Sequence, residues 1–148
     1  MSYQEKKNVV NIVSTLLITG GYFWYVTQSG PAPDLSTEEL LKFWAKSMLI
    51  LIPVSIVGKI IVHIVFSIGN AIATRDHKIP PTDERDKLIE LKSNRNANWI
   101  FGAGFLIAMF ALVMDASVTV MFVVLICGGV LSEVFDNASQ LYFHRRGI

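Results

Sequence analysis

The sequence predicts an all-α membrane protein with four transmembrane helices and both termini on the cytoplasmic side. Of its 148 residues, 52% are hydrophobic and 17% are charged, whereas a soluble domain carries about 25% charged residues. The charges also cluster in short segments, which leaves long apolar stretches that can span the roughly 30 Å hydrocarbon core of a bilayer. At this length the chain has room for a single domain, residues 1–148.

The first two spans follow from the apolar runs and from residues that start helices. An apolar run over about residues 8–28 has the roughly 20 residues that cross a bilayer. It ends in the bulky residues Tyr22–Tyr25 and not in a small-residue cleavage site, so we expect a retained helix and not a cleaved leader. Ser36, with Glu39 three residues later, predicts a capping box at the start of the second helix. The second span covers about residues 48–73 of that helix.

A polar segment, residues 75–98, separates the second and third spans and is expected in the cytoplasm. Within it, the hydroxyl of Thr82 followed by acidic residues predicts a helix start. Apolar residues among the charges predict an amphipathic helix that continues into the third span. The third and fourth spans cover about residues 99–114 and 118–140. The turn between them is so short that the two spans must be antiparallel neighbours, and Ser117 is expected to cap the fourth helix.

The distribution of basic residues predicts the orientation. Lysine and arginine in short loops mark the cytoplasmic side of a membrane protein. Most of them fall before the first span, in the polar segment and after the fourth span, so both termini and residues 75–98 are predicted to be cytoplasmic. Aromatic residues are expected at the two membrane boundaries: Tyr22–Tyr25, Phe43 and Trp44 at the outer one, and Trp99, Tyr142 and Phe143 at the inner one.

Ionisable residues inside the spans form the candidate site, because charge in hydrocarbon is costly and marks functional positions. Lys59 and His63 of the second span are four residues apart and therefore share a helix face. Glu133, Asp136 and Asn137 share a face of the fourth span. Two basic and two acidic groups are thus available to meet between two helices.

The two faces lie at a common depth. At about 1.5 Å per residue, His63 and Glu133 both lie roughly 22 Å from the outer boundary. An ion pair is therefore predicted between Lys59 and Glu133. A second is predicted between His63 and Asp136, unless the four groups share one network. The polar residues expected to support this cluster are Asn11, Ser14 and Thr15 of the first span, Asn70 of the second and Gln140 of the fourth.

Three roles are open for this cluster. It can hold two helices together through structural ion pairs, it can bind a ligand, a proton or an ion, or it can bind a metal. The metal role is the weakest, because a single histidine and two carboxylates on another helix lack the Glu-x-x-His spacing that places ligands together. No metal, no cofactor and no catalytic residue is therefore predicted.

The composition and the missing motifs argue against several protein classes. A net charge of +1 gives no basic footprint for nucleic acid. The sequence lacks a phosphate-binding glycine loop, a His-Glu-x-x-His and a Gly-x-Ser-x-Gly, so an enzyme is not predicted. The single cysteine, Cys127, lies in an apolar run and is interpreted as a buried apolar residue. The glycines lack a Gly-x-x-x-Gly pair and are expected to serve packing within the chain.

The stretch Asp83–Lys92, with its Asp-Glu-Arg-Asp segment just before a hairpin of two spans, resembles small, uncharacterised prokaryotic multi-pass inner-membrane proteins. The resemblance covers about the second half of the chain. It implies a bacterial inner-membrane protein and, by analogy alone, a partnership with a small DNA-binding regulatory protein. It carries over no functional residue.

These observations lead to two functional hypotheses and a weaker third. The first is a non-enzymatic membrane binding or signalling module, in which the polar cluster binds a ligand and residues 75–98 relay the event to a cytoplasmic regulatory protein. The alternative is a small ion or proton channel or transporter, which would be a homo-oligomer because four short helices enclose little room. The third is an enzyme that acts on a lipid-like substrate at the inner boundary. The lipid bilayer is the partner common to all three, and no nucleic acid is expected.

Overall fold

The structure, a computed structural model, describes residues 2–31, 34–74 and 83–146. Within these ranges the chain forms four helices: α1 (Tyr3–Gln28), α2 (Thr37–Thr74), α3 (Glu84–Val113) and α4 (Val118–Arg146). Each is long and apolar enough to cross a membrane, which confirms the predicted fold class of an all-α protein with four transmembrane helices. Residues 32–33 and 75–82, with the predicted Thr82 cap and the first part of the predicted cytoplasmic segment, lie outside the described residues.

Two of the predicted helix starts are confirmed. At α2 the backbone N–H of Ser36 donates to Glu39 Oε2 at 3.0 Å, and the N–H of Glu39 donates to Ser36 Oγ at 3.4 Å. This reciprocal pair is the predicted capping box, which satisfies backbone donors that the first helical turn leaves free. At α4 the N–H of Val120 donates to Ser117 Oγ at 3.3 Å. Local hydrogen bonding between close neighbours in sequence therefore sets both boundaries.

The described part of α3 begins with a cap at Asp83. The N–H of Asp83 donates to Asp86 Oδ2 at 3.3 Å. A carboxylate caps the helix, and the acid that completes the box stands three residues after Asp83. From there α3 runs without a break to Val113, which confirms that the amphipathic segment continues into the third span.

The two ends of the bundle can be distinguished by what they contain. We call the end where α1 and α3 begin and α2 and α4 end the basal end, and the opposite end the apical end. The start of α1 and the finish of α4 meet at the basal end, where Arg145 Nε lies 3.7 Å from Glu5 Oε1. The first turn of α1 and the last turn of α4 therefore lie at the same end of the bundle. That this end faces the cytoplasm stays a prediction.

Helix α4 is the centre of the arrangement. It packs against each of the other three helices, and α1 also packs against α2. Over the described residues, no Cα atom of α3 comes within 8 Å of α1 or α2. Two helices packed at the usual interaxial distance of about 8–10 Å have some Cα atoms of the two helices closer than about 8 Å to each other. The predicted α3–α4 hairpin is confirmed, and α2 and α3 stand apart on either side of the molecule.

Small residues allow α3 and α4 to pack closely. Ser93, Ala97 and Ala108 are buried at this contact, and Ser132 Oγ donates to the carbonyl oxygen of Ala97 at 2.8 Å. Farther along, a Cβ atom added at Gly104 would lie 3.0 Å from the Cα of Gly128. Helices associate in membranes mainly through such close packing, because lipid offers no hydrophobic drive between them. For this glycine pair, the expected role in packing within the chain is confirmed.

An apolar core fills the apical half, and one predicted boundary residue belongs to it. Trp44 is 3% exposed and lies between Phe23 and Phe122, with ring centroids 6.3 Å and 6.1 Å away. Its indole N–H donates to Thr119 Oγ1 at 3.1 Å. Trp44 is therefore a core residue, and its place at the outer boundary stays a prediction. Trp24, by contrast, is 69% exposed.

The interpretation of Cys127 as a buried residue is wrong. Cys127 is exposed and lies in an open apolar groove between α1 and α4. An apolar run cannot tell an inward face from an outward one in a membrane protein, because the lipid-facing surface is as apolar as the core.

Candidate functional site

The predicted contact between α2 and α4 is present at Lys59 and Glu133. The ammonium Nζ of Lys59 forms an ion pair with Glu133 Oε1. The same carboxylate oxygen accepts a hydrogen bond from Thr15 Oγ1 at 2.9 Å. The side chains of Lys59 and Glu133 are 33% and 34% exposed, so the pair is only partly withdrawn from its surroundings. Three helices thus meet at the single carboxylate of Glu133.

A second polar bridge joins α1 to α4 one turn nearer the basal end. Asn11 Nδ2 donates to Asn137 Oδ1 at 3.0 Å, and Asn137 Nδ2 donates to the backbone oxygen of Glu133 at 2.9 Å. Asn137 is 5% exposed, so its amide is satisfied entirely by protein groups at a buried position. Asn11 and Thr15 on α1 face Glu133 and Asn137 on α4, each pair being four residues apart on its helix face.

The basal half of the bundle encloses a polar cavity of about 310 Å³. Its size falls within the range of roughly 300–1,000 Å³ that is usual for small-molecule sites. All thirteen lining residues are polar: Gln4, Lys7, Asn8, Asn11, Lys59, His63, Asp86, Glu90, Glu133, Asp136, Asn137, Gln140 and His144. Every helix contributes to this wall. We call this space the basal cavity.

The predicted pair between His63 and Asp136 is not formed. Both residues line the basal cavity, but no ion pair or hydrogen bond joins them within the described part of the chain. Asp136 Oδ2 instead accepts a hydrogen bond from Gln140 Nε2 of its own helix at 3.2 Å. Near Lys59 the long lysine side chain bridges α2 and α4, whereas the shorter imidazole of His63 leaves the cavity between itself and Asp136.

Three residues predicted to support the cluster do not line the cavity: Ser14, Asn70 and Thr15, of which Thr15 donates to Glu133. Ser14 is buried, and its hydroxyl donates to the carbonyl oxygen of Asn11 on its own helix at 3.0 Å. Asn70 is farther along α2, where its backbone oxygen accepts from Thr74 Oγ1 at 2.7 Å. Among the predicted supporting residues, Asn11 and Gln140 are in the cavity wall.

Two buried polar atoms at the cavity have no partner among the described residues. Asn8 is 3% exposed, and its amide nitrogen Nδ2 donates to nothing. Asp136 Oδ1 accepts no hydrogen bond, although its other oxygen does. A buried polar atom without a partner costs about 1–3 kcal/mol. One unused donor and one unused acceptor on the same wall therefore mark a place where another molecule, water or ligand, completes the hydrogen bonding.

Six wall residues were not predicted from the sequence, and all lie nearer the basal end than the predicted cluster. They are Gln4, Lys7 and Asn8 of α1, Asp86 and Glu90 of α3, and His144 of α4. The signal was present as spacing, because Asp86 and Glu90 are four residues apart, as are Gln140 and His144. Residues 75–98 were predicted to lie at the cytoplasmic surface, whereas Asp86 and Glu90 in the first turns of α3 belong to the cavity wall. His144 Nδ1 lies 3.6 Å from Asp86 Oδ1 and links the ends of α3 and α4.

The charges of the cavity have both signs. Lys59 is paired with Glu133, and His144 is close to Asp86. Within the described ranges, Lys7 and Glu90 take part in no hydrogen bond or ion pair, although both line the cavity. Together with Asp136, the wall therefore offers one cationic and two acidic groups to an occupant. No group of three or more His, Cys, Asp or Glu residues among those described could hold a metal ion.

No protein-family model, no curated protein and no solved structure significantly matches this chain. The resemblance of Asp83–Lys92 to prokaryotic inner-membrane proteins therefore stays a prediction.

Proposed function

We propose that this multi-pass membrane protein is a non-enzymatic binding module that takes a small polar or amphiphilic ligand into the basal cavity. The observation that carries the proposal is a cavity lined only by polar side chains, in which Asn8 and Asp136 each keep a buried atom without a partner. A purely structural polar cluster would satisfy its own members, because half-satisfied networks cost stability. The cellular site we propose is the inner membrane, with the basal end in the cytoplasm.

The signalling part of the proposal runs through the start of α3. Asp86 and Glu90 line the cavity, while Leu88 and Leu91 on the same two turns are 69% and 74% exposed. A ligand that draws the acidic side chains inward would shift this exposed face. We place the contact with a cytoplasmic regulatory protein here, within residues 75–98.

The alternative from the sequence, a homo-oligomeric channel or transporter, also stays a prediction. The apical half holds the core of Val26, Trp44, Ala108, Met121 and Phe122. A path through one chain would have to cross this packed region, whereas a binding site needs only the basal opening. The packed core therefore argues against a path through a single chain, and a path between copies of the chain stays a prediction.

The test compares two carboxylates three residues apart on α4. Glu133→Gln removes the charge that pairs with Lys59, and we expect the free energy of unfolding to fall by about 1–3 kcal/mol, the cost of a donor left without its partner. Asp136→Asn removes a charge that has no cationic partner, so the unfolding free energy should stay unchanged or rise, as at sites where binding opposes stability. Unfolding of the purified protein in mixed micelles measures both. Equal destabilisation by the two variants would mean that the cluster is structural, which would overturn the proposal.

A further inference from the structure

The basal cavity lies between two helices that do not pack together. Its wall includes Lys59 and His63 of α2 on one side and Asp86 and Glu90 of α3 on another. Yet no Cα atoms of α2 and α3 approach within 8 Å of each other in the described ranges. The two helices that flank the cavity therefore leave an opening between them at the side of the bundle.

An apolar surface of α2 adjoins this opening. Ile56, Ile60, Ile64 and Ile68 repeat every four residues, are each 54–55% exposed and form an open groove. We call these four residues the isoleucine flank. Lys59 and His63 belong both to this groove and to the basal cavity. The polar basal cavity and the apolar groove therefore share two residues. A ligand with a polar head and an apolar tail requires such an arrangement.

The unpaired groups of the cavity specify the polar head. Asp136 Oδ1 and the carboxylate of Glu90 are free acceptors, while Asn8 Nδ2 and the ammonium of Lys7 are free donors. A primary ammonium has three N–H donors for carboxylates, and a phosphate has acceptor oxygens for an amide and a lysine. A quaternary ammonium cannot donate, and an uncharged glycerol head leaves two carboxylates without a cation.

We propose that the basal cavity binds the head of a phospholipid that carries a primary ammonium group, phosphatidylethanolamine chemistry, with an acyl chain along the isoleucine flank. The ammonium lies at Asp136 and Glu90, and the phosphate lies at Lys7 and Asn8. The assignment rests on the proposed binding function and names its ligand class. The lipid enters sideways between α2 and α3, so no opening through the bundle is needed.

The experiment is native mass spectrometry of the full chain in detergent. Phosphatidylethanolamine, phosphatidylcholine and phosphatidylglycerol with identical acyl chains are added separately, and O-phosphoethanolamine serves as the head without chains. We expect the ethanolamine lipid to bind about tenfold more tightly than the choline lipid, since two charge-assisted hydrogen bonds are lost with choline. O-phosphoethanolamine should bind more weakly than the lipid, and Ile64→Ser should weaken the lipid but not this soluble head.

Charge-removing variants complete the test. Asp136→Asn and Glu90→Gln should each bring the ethanolamine-to-choline ratio towards one. Glu38→Gln is the matched control, because Glu38 is an exposed carboxylate near the start of α2 that pairs with Lys42 and is remote from the cavity. Glu90 is itself exposed, so its variant should fold even if the other does not.

Several outcomes would overturn the assignment. Equal binding of the three lipids would indicate a nonspecific lipid shell. Tighter binding of phosphatidylglycerol would contradict an ammonium group at Asp136 and Glu90. O-phosphoethanolamine binding as tightly as the lipid would make the ligand a soluble amine. Each of these leaves the binding function standing, because the comparison of Glu133→Gln with Asp136→Asn tests that function without any lipid.

Discussion

At the residue scale, two carboxylates of α4 have opposite surroundings. Glu133 accepts from Lys59 and from Thr15, so its charge is neutralised and held by two other helices. Asp136 has one hydrogen bond from Gln140 and one buried oxygen without a partner. The spacing of Glu133 and Asp136 places both acids on one helix face. The length and position of the Lys59 side chain decide which of the two it contacts. This is why the Lys59 pair could be predicted and the partner of Asp136 could not.

Asp115, in the turn between α3 and α4, has a strained backbone conformation. Asp115 has φ 59°, in the left-handed region that favours glycine. Its N–H donates to the oxygen of Leu112 at 3.1 Å, and the N–H of Ala116 donates to the oxygen of Ala111 at 3.0 Å. These two bonds define a Schellman motif, whose left-handed position is most often glycine.

We therefore predict that Asp115→Gly stabilises the protein by up to about 1 kcal/mol, less whatever flexibility glycine adds to the unfolded chain. Asp115→Ala is the matched control, because it removes the carboxylate but keeps a Cβ atom at a positive φ, and it should give no gain. The free energy of unfolding in mixed micelles measures both variants. A larger gain from alanine than from glycine would show that the carboxylate, and not the backbone, is what strains the turn.

At the element scale, the pairing of α3 with α4 depends on small residues. The short turn predicts the antiparallel hairpin, but only the structure shows that Gly104 meets Gly128. The other glycines of the pair of helices, Gly102 and Gly129, have open space at the Cβ position. Sequence spacing cannot separate these cases, because Gly102 and Gly104 are two residues apart on opposite faces of one helix.

Alanine substitutions along this hairpin should follow the contacts. Gly104→Ala brings a Cβ to 3.0 Å from a backbone atom, and overpacking of this kind costs about 1–3 kcal/mol. Gly128→Ala meets its neighbour at 3.3 Å and should cost less. Gly102→Ala meets nothing within 4 Å and should be neutral or slightly stabilising, since alanine favours helix. If the unfolding free energies rank the three variants in any other order, the close contact between Gly104 and Gly128 is contradicted.

At the scale of the whole molecule, the two halves of the bundle differ in chemistry. The apical half holds the aromatic core around Trp44, and the basal half holds the polar cavity. Hydropathy predicted the four spans, because length and lack of charge suffice for that. It missed that Trp44 is a core residue, and it missed the α3 side of the cavity at Asp86 and Glu90. Both depend on which helix face turns inward, and a lipid-facing surface does not differ enough in composition to show it.

We propose that Lys59 and His63 of α2 face a hydrated cavity, while the opposite face of the helix at the same level faces lipid. Ile61 is 56% exposed and lies almost opposite His63 around the helix, so the two positions form a matched pair. Cys127 is first replaced by alanine so that each variant has one thiol. Thiols react as thiolates, which form in water and not in hydrocarbon.

The decisive measurement is the labelling rate of His63→Cys and Ile61→Cys by a membrane-impermeant thiol reagent in vesicles of known orientation. We predict rapid labelling of position 63 from the basal side alone, and little labelling of position 61 from either side. An unreactive thiol at position 63, or equal rates at the two positions, would contradict a water-filled basal cavity, and labelling of position 63 from both sides would indicate a channel in its place.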